Sequence, residues 1–305
     1  MDGVSHSKTS PIAFLKGHGT ENDFVIVPDP DNVIDLPAPT VATLCDRRAG
    51  IGGDGLLHVV RSGAHPEARA MADAAEWFMD YRNADGSIAE MCGNGVRVFA
   101  RYLERAGLVE AGDLAVATRG GVKKVHIAKT ESISGPAAGD ITVSMGRALL
   151  PEDGVTVTVD GRSWPALNVN MGNPHAVAFV EDLDHAGDLF REPPYSPASV
   201  YPDGVNVEFV VDRGERHVAM RVHERGSGET RSCGTGACAV AVAAARRDGA
   251  DPVVTGVPVT YTVDLPGGRL VITERPDGEI DMTGPAVIVA EGHIDPALIA
   301  PINPR

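Results

Sequence analysis

The chain has 305 residues, of which 43% are hydrophobic and 23% charged, and its formal net charge is -15. This composition is typical of a globular protein of one large or two smaller domains. So acidic a surface repels phosphate backbones and anionic lipid, which excludes nucleic acid and membrane as expected partners. The N-terminus lacks signal-peptide features, and the small-apolar run 237–245 is too short for a bilayer, which predicts a cytoplasmic protein.

Short segments rich in Val, Ile and Thr, separated by Gly, Pro, Asp and Asn, predict β-strands along much of the chain. The segments are 24–27, 56–60, 141–145, 155–159, 205–211, 217–223, 257–263 and 270–273. Two insertions interrupt this pattern, the Ala-rich stretch 62–75 and the Pro-rich stretch 187–204. Both predict loops or marginal helices, and no chemistry is assigned to either.

Two segments predict helices. Residues 94–105 (NGVRVFARYLER) place their apolar side chains on one side, and Gly107 ends the pattern. Residues 236–247 (GACAVAVAAARR) are small and mostly apolar, which predicts a helix buried on all sides and ended by Gly249.

The two predicted helices begin in the same way, since one follows NADGSIAEMCGNG and the other follows ERGSGETRSCGTG. Each stretch ends in Cys-Gly-x-Gly, directly at the helix. Upstream, GTENDFVIV around Asn22 and MGNPHAVAFV around Asn173 are Gly-rich turns that lead into predicted strands. This recurrence predicts two halves of about domain length, with a linker in 134–139.

The chain has four cysteines, Cys45, Cys92, Cys233 and Cys238. Their number and spacing predict neither a disulfide scaffold nor a metal site. Cys45 and Cys238 lie in apolar surroundings and are predicted to be core residues. Cys92 and Cys233 are predicted at the first turn of a helix, where unpaired N–H groups favour a thiolate and lower the thiol pKa to roughly 3.5–7.5.

Two such thiols in matching halves predict a specific chemistry. Inversion of an α-carbon requires a base on one face and an acid on the other, and two cysteines could exchange these roles. The substrate carboxylate could lie between the helix N-termini, facing the backbone N–H groups of Gly93, Asn94, Gly234 and Thr235. This chemistry requires no cofactor, and none has an obvious site. A lone cysteine is most often a core residue, so the repeated context carries the prediction.

At these residues the sequence resembles the diaminopimelate epimerase family, from GHGTENDF to MTGPA, through the two cysteine stretches and MGNPH. The resemblance implies cofactor-independent epimerisation of LL- to meso-diaminopimelate, in lysine and peptidoglycan precursor biosynthesis. It implies an α/β fold of two pseudo-symmetric domains, each a curved, mostly antiparallel sheet around a central helix, with the active site in the cleft. The domains would be 1–138 plus 285–305 and 139–284, and a homodimer is possible.

The resemblance also implies roles for individual residues. Cys92 and Cys233 would be the acid/base pair, and His175 and Glu224 would tune them. The implied substrate contacts are Asn22, Asn83, Gly93, Asn94, Asn173, Asn206, Glu224, Arg225, Gly234 and Thr235. Amides, a carboxylate for an ammonium and a guanidinium for a distal carboxylate suit a zwitterionic diamino diacid. Taken singly, an Asn in a turn, the Glu224–Arg225 pair or His175 would more often be structural.

Three positions depart from the family pattern. Gly55 stands where many members have Gln, Glu21 replaces a common Gly, and Ala290 occupies a position where some members have a Tyr at a dimer contact. Residues 50–55 (GIGGDG) match a dinucleotide-binding fingerprint, but a strand rather than a helix is predicted after them, so we reject that function.

Other functions are compatible with parts of the pattern. Proline racemase-like enzymes and the phenazine-pathway isomerase share the implied architecture, although the latter lacks the cysteine pair. A thiol redox protein could pair Cys92 and Cys233 in a reversible disulfide, but redox proteins more often use adjacent cysteines. A pure binding module would need neither cysteine.

Overall fold

The structure is a computed structural model that describes residues 12–130 and 139–295. Residues 134–138 of the predicted linker lie outside these ranges. The strands are β1 (Ile12–Gly19), β2 (Asn22–Pro28), β3 (Gly55–Arg61), β4 (Trp77–Asn83), β5 (Gly112–Thr118), β6 (Gly121–Ile127), β7 (Ile141–Arg147), β8 (Val155–Val159), β9 (Arg162–Asn170), β10 (Pro174–Phe179), β11 (Tyr195–Ser196), β12 (Asn206–Gly214), β13 (His217–Glu224), β14 (Gly228–Thr230), β15 (Val259–Leu265), β16 (Gly268–Glu274), β17 (Glu279–Gly284) and β18 (Val287–Ile294). The α-helices are α1 (Ala38–Cys45), α2 (Gly93–Arg105), α3 (Gly234–Arg247) and α4 (Pro252–Thr255).

The strands pair in two rows of matching order. One row runs β18–β1–β2–β3–β4–β5–β6–β7, and the other runs β8–β9–β10–β12–β13–β15–β16–β17. In each row the third and fourth strands are parallel to each other, and so are the fifth and sixth. All remaining neighbouring strands in both rows are antiparallel. The rows join where β7 and β17 pair. The predicted curved, mostly antiparallel sheets are therefore present in both halves.

A helix is packed inside each half. α2 follows β4 and α3 follows β14, and both lie in one hydrophobic cluster that runs through the two halves. Residues Ala237–Ala245 of α3 are all buried, as its apolar sequence predicts. Both helices begin directly after a cysteine, at Gly93 and Gly234, slightly earlier than predicted.

The helix α2 is more deeply buried than its predicted single apolar side implies. Every residue in 93–104 is buried, including Arg97 and Arg101. These guanidinium groups reach the carbonyl oxygens of Pro285 and Ala286, which precede β18. The prediction failed here because a helical pattern cannot show that a returning chain segment covers the second side.

The predicted strands all overlap observed strands, and β3 follows the 50–55 segment as expected. The insertion 62–75 forms two 3-10 turns, and 187–204 holds a third such turn and the short strand β11, which pairs with β8. The proposed domain division stays a prediction. It assigns β7 to the second domain, whereas β7 pairs with both β6 and β17, and it assigns β18, which pairs with β1, to the first.

None of the helices within residues 12–130 and 139–295 combines the length and the apolar content needed to cross a bilayer.

Candidate active site

A cleft of about 1400 Å³ lies between the two halves and receives residues from both. This exceeds the roughly 300–1,000 Å³ of a typical small-molecule pocket, so a substrate of amino-acid size fits with space to spare. The predicted site residues that line it are Asn22, Asn83, Cys92, Gly93, Asn94, Asn173, Glu224, Arg225, Cys233, Gly234 and Thr235. His175 and Asn206 are buried behind its wall.

Cys92 occupies the N-cap position of α2, and its partly buried side chain lines the cleft. Its Sγ accepts a hydrogen bond from the N–H of Gly95 at 3.4 Å and donates to Asn22 Oδ1 at 3.6 Å. Asn22 is itself fixed by Asp54, which accepts from its Nδ2 at 2.8 Å. The thiol therefore lies among neutral amide groups.

Cys233 occupies the same position on α3 and is 7% exposed. Its Sγ accepts from the N–H of Gly236 at 3.3 Å and lies 3.5 Å from Thr235 Oγ1. It also donates to the carboxylate of Glu224, which accepts a second hydrogen bond from the hydroxyl of Thr230. This thiol therefore lies beside a carboxylate.

Burial dominates the acidity of both thiols. It raises the pKa of Cys92 to about 11 and the pKa of Cys233 well above its ordinary value. The N–H groups of Gly95 and Gly236 lower the two pKa values, as expected at a helix N-terminus, but by less than burial raises them. The predicted lowering of the two thiol pKa values is therefore wrong for this structure, because burial outweighs the helix N-terminus at both cysteines.

The N-termini of α2 and α3 adjoin at the floor of the cleft. Asn94 on the first turn of α2 donates through Nδ2 to the carbonyl oxygen of Ser232 at 3.3 Å and to its Oγ at 3.2 Å. A Cβ atom at Gly234 would lie 3.3 Å from Asn94 Oδ1, so glycine permits this approach. Two helix N-termini that converge in this way present unpaired N–H groups and suit a bound carboxylate.

A chain of hydrogen bonds leads from the interior of the second half to Cys233. The buried Glu208 binds His175 Nδ1 at 2.6 Å, and His175 Nε2 lies 3.1 Å from Asn173 Oδ1. Asn173 donates to Thr235 Oγ1 at 3.4 Å, and that hydroxyl contacts Cys233 Sγ. The sequence analysis missed Glu208, although a charged residue inside the apolar strand VNVEFVV was a detectable signal.

Asn206 holds backbone in place. Its Nδ2 donates to the carbonyl oxygen of Pro174 at 3.1 Å, and its Oδ1 accepts from the N–H of Arg225 at 2.9 Å. The exposed guanidinium of Arg225 donates to the carbonyl oxygen of Asp203 at 3.3 Å. Asp203 belongs to the Pro-rich insertion 187–204, so that insertion, to which no chemistry was assigned, supports the predicted substrate contact Arg225.

The local packing explains why position 55 is glycine rather than a residue with a longer side chain. A Cβ atom there would lie 2.5 Å from the carbonyl oxygen of Arg82 and 2.7 Å from Cε2 of Tyr81, so no larger side chain fits. The Tyr81 hydroxyl instead lines the cleft and donates to Asn83 Oδ1 at 3.0 Å. Tyr81 is a second residue that the sequence analysis missed.

The remaining cysteines are core residues, as predicted, because Cys45 is 3% exposed and Cys238 is fully buried. Across the described ranges, no cluster of three or more His, Cys, Asp or Glu side chains could hold a metal ion.

Comparisons with known proteins identify related sequences along nearly the whole chain. A sequence model described as diaminopimelate epimerase matches residues 14–150 and 167–289. A diaminopimelate epimerase of Streptomyces coelicolor is 78% identical over 286 residues, which cover 94% of this chain and 96% of that protein. A diaminopimelate epimerase of Rhodococcus opacus is 46% identical over 293 residues, which cover 92% and 96%.

Solved structures share the fold at low sequence identity. A phenazine biosynthesis protein from Bacillus anthracis matches with a TM-score of 0.66 at 16% identity, covering 94% of this chain and 100% of that chain. A hydroxyproline epimerase from Agrobacterium vitis matches with a TM-score of 0.64 at 14% identity, covering 96% and 95%. The predicted α/β fold of two pseudo-symmetric domains is confirmed.

Proposed function

The chain belongs to the diaminopimelate epimerase family, and on that premise we propose that it interconverts LL- and meso-diaminopimelate with Cys92 and Cys233 as acid and base. One observation carries this mechanism: both thiols line one cleft, each at the first turn of a helix, and the two helices adjoin at their N-termini. The epimerisation is cofactor-independent and belongs to the supply of lysine and peptidoglycan precursors.

The proton transfer needs one thiolate and one thiol. The thiolate removes the α-proton from one face of the substrate, and the thiol supplies its proton to the opposite face, which inverts the carbon. Afterwards the first cysteine holds the proton and the second is the thiolate, so the enzyme is set for the reverse reaction. Glu224 accepts a hydrogen bond from Cys233 and is thus placed to exchange a proton with it.

The charge that develops on the substrate carboxylate during this transfer would lie at the adjoining helix N-termini. The first N–H groups of each helix, at Gly93, Asn94, Gly234 and Thr235, have no acceptor within their own helix. Preorganised donors of this kind are worth about 3–4 kcal/mol each in comparable sites. The same two helices that carry the thiols would therefore stabilise the intermediate.

The rest of the substrate would be recognised along the cleft wall. The carboxylate of Glu224 suits an ammonium group, and the exposed guanidinium of Arg225 suits the distal carboxylate. Asn22, Asn83 and Asn173 supply amides that both donate and accept. The two ends of a diamino diacid thus meet complementary groups.

We also propose a cytoplasmic location, since all four cysteines are free thiols and a reducing compartment preserves them. A homodimer stays a proposal, and Ala290 on β18 is the position at which its contact would differ from that of other family members.

The experiment that tests this function is incubation of the reduced protein with LL-diaminopimelate and no added cofactor, followed by chromatographic separation of the stereoisomers. We expect meso-diaminopimelate to accumulate, and L-proline to stay unchanged in a parallel incubation. Inversion of proline without inversion of diaminopimelate would overturn the substrate and keep the mechanism. Inversion of neither, while the thiols remain reduced, would overturn the function.

A further inference from the structure

A buried cation without a carboxylate partner lies beneath the cleft. Arg97, on the second turn of α2, has 0% of its surface exposed. It donates to Thr20 Oγ1 at 3.2 Å, to the carbonyl oxygen of Pro285 at 3.3 Å and to Met282 Sδ at 3.4 Å. Within residues 12–130 and 139–295, no carboxylate oxygen lies at ion-pairing distance from it. All its partners are neutral.

The surrounding backbone is shaped to admit this guanidinium. A Cβ atom at Gly19 would lie 2.9 Å from Arg97 Nη2, and one at Gly284 would lie 3.7 Å from its Cζ. Glycine at Gly19 therefore leaves the space that the guanidinium occupies. The cation fills a site formed by the end of β1, the end of β17 and its own helix.

Arg97 is connected to both helix N-termini through Thr20. The hydroxyl of Thr20 also hydrogen-bonds Ser232 Oγ at 2.6 Å, and Ser232 accepts from Asn94 Nδ2. Ser232 directly precedes Cys233, and Thr20 lies two residues before Asn22, the amide that contacts Cys92. Through Thr20, the guanidinium of Arg97 thus fixes the turn that carries Asn22 beside Cys92. Through Ser232, it also fixes the residue before Cys233.

A second buried arginine on the same helix provides a contrast. Arg101 is also fully buried, but it pairs with the carboxylate of Glu104 and donates to the carbonyl oxygens of Gly139 and Ala286. An isolated buried cation disfavours folding, whereas a paired one recovers part of that penalty. The burial penalty of Arg97 is therefore less compensated than that of Arg101.

Building on the proposed function, we propose that Arg97 is a positioning residue for the acid/base pair. Its hydrogen bond to Thr20 fixes the turn that carries Asn22 and, through Ser232, the residue before Cys233. Its charge lies beneath the two helix N-termini that would hold the substrate carboxylate.

The electrostatic surroundings agree with this role. Burial lowers the pKa of Arg97 to about 10, so it remains a cation at neutral pH, and Cys92, Cys238 and Asp140 favour its charged form. Around Cys92, Glu224 raises the thiol pKa and Arg97 lowers it. Arg97 is thus the cation that opposes Glu224 at this thiol.

The test is the alkylation rate of each cysteine by iodoacetamide, followed by mass spectrometry of the peptides, alongside kcat/KM for diaminopimelate. In Arg97→Met we expect kcat/KM to fall and Cys92 alkylation at pH 8.5 to slow, because both the Thr20 anchor and the nearby positive charge are lost, while Cys233 alkylation changes less. Arg97→Lys, which keeps the charge, should slow Cys92 less than Arg97→Met does. Any fall in the melting temperature of Arg97→Met reflects the unsatisfied carbonyl oxygen of Pro285 and the hydroxyl of Thr20, since no charge partner is left unpaired.

The double variant R101M/E104Q is the matched control, since it removes the neighbouring buried pair together. It should leave the alkylation rate of Cys92 unchanged. If Arg97→Met does not fold, Thr20→Val tests the positioning role separately: it should lower kcat/KM and leave Cys92 alkylation unchanged.

A wild-type Cys92 rate in Arg97→Met would overturn the proposal. So would equal slowing in R101M/E104Q or in Arg97→Lys. These alkylation rates are measured without substrate, so they can be interpreted even if wild-type protein does not epimerise diaminopimelate, an outcome that would overturn the proposed function instead.

Discussion

The two halves share the same arrangement of strands and a central helix, but their buried charged residues differ. By strand register, Phe24 on β2 lies opposite Gly55 on β3, and His175 on β10 lies opposite Asn206 on β12. Leu57 lies two residues after Gly55 on β3, and Glu208 lies two residues after Asn206 on β12. These two residues are therefore equivalent, and each lies under the first turn of the helix of its half. A Cβ atom at the corresponding helix glycine would lie 3.3 Å from the leucine and 2.8 Å from the carboxylate.

On the helices, by contrast, the charged residue belongs to the first half. Five positions after each cysteine, α2 has the cation Arg97 and α3 has the neutral Cys238. Nine positions before each cysteine, the first half has Asn83 and the second has Glu224. Cys92 therefore lies in the field of a buried cation, and Cys233 lies beside two carboxylates.

The two halves therefore agree in the position of their thiols and differ in the charges that set the thiol pKa values. The repeated helix N-terminus places both thiols, but their surroundings decide which one loses a proton first. Burial raises the pKa of both thiols. At Cys92 the carboxylate of Glu224 raises the pKa further and Arg97 lowers it, whereas at Cys233 both Glu224 and Glu208 raise it. On this difference alone, Cys92 is expected to lose its proton more readily than Cys233.

The largest effect is expected from removing either thiol. Cys92→Ala and Cys233→Ala should each lower epimerisation by about 10²–10⁴-fold or more, because each cysteine is needed for half of the transfer. Cys238→Ala, on the same helix as Cys233 but in the core, is the control and should retain activity. Near-normal turnover in either cleft variant would contradict a two-cysteine mechanism.

The next effect concerns a charge found in one half only. Position 84, which corresponds to Arg225, is alanine, so the first half has no guanidinium at this position. Arg225→Ala should raise KM for diaminopimelate about 10- to 100-fold, as loss of a charged hydrogen bond implies, and lower kcat less. Arg225→Lys should recover part of this loss. An unchanged KM in steady-state kinetics would contradict the assigned carboxylate contact.

The smallest effect tests the electrostatic difference itself. Because burial raises the pKa of Cys92 to about 11, its thiolate fraction, and thus its alkylation rate, should rise about tenfold per pH unit from pH 7 to 10. Cys233, whose pKa is raised by burial and by the carboxylates of Glu224 and Glu208, should react more slowly at every pH in that range.

Glu208→Gln should reduce this difference, because it removes one of the two carboxylates that raise the pKa of Cys233. We expect alkylation of Cys233 to accelerate several-fold, with Cys92 as the internal control in the same sample. Equal acceleration of both cysteines would show that the substitution opens the cleft rather than changing the charge beside one thiol.

The repeat and both helix starts were predictable, because Cys-Gly-x-Gly before a helical pattern is a local signal. The strands β3, β8 and β13 were predictable because their sequences, which are rich in valine, are also local signals. By contrast, β1 and β18 contain glycine and charged residues, and they form because each is the other's partner across the length of the chain.

The electrostatics of the site were the least predictable part. The helix N-terminus predicts a low thiol pKa, but burial between two halves raises it, and burial depends on tertiary packing. Glu208 and Arg97 were missed because each is a single charged residue in an otherwise apolar or helical pattern. Only the structure shows that one has a histidine partner and the other has none with opposite charge.

The central claim, two thiols on opposite faces of one substrate, is tested most directly by NMR of LL-diaminopimelate incubated with the reduced enzyme in D₂O. We expect early meso product to carry deuterium at the inverted α-carbon, while unreacted LL substrate keeps its α-protons, because the returning proton comes from a second group. Product that retains the original α-proton, or substrate that takes up deuterium before meso product forms, would contradict it.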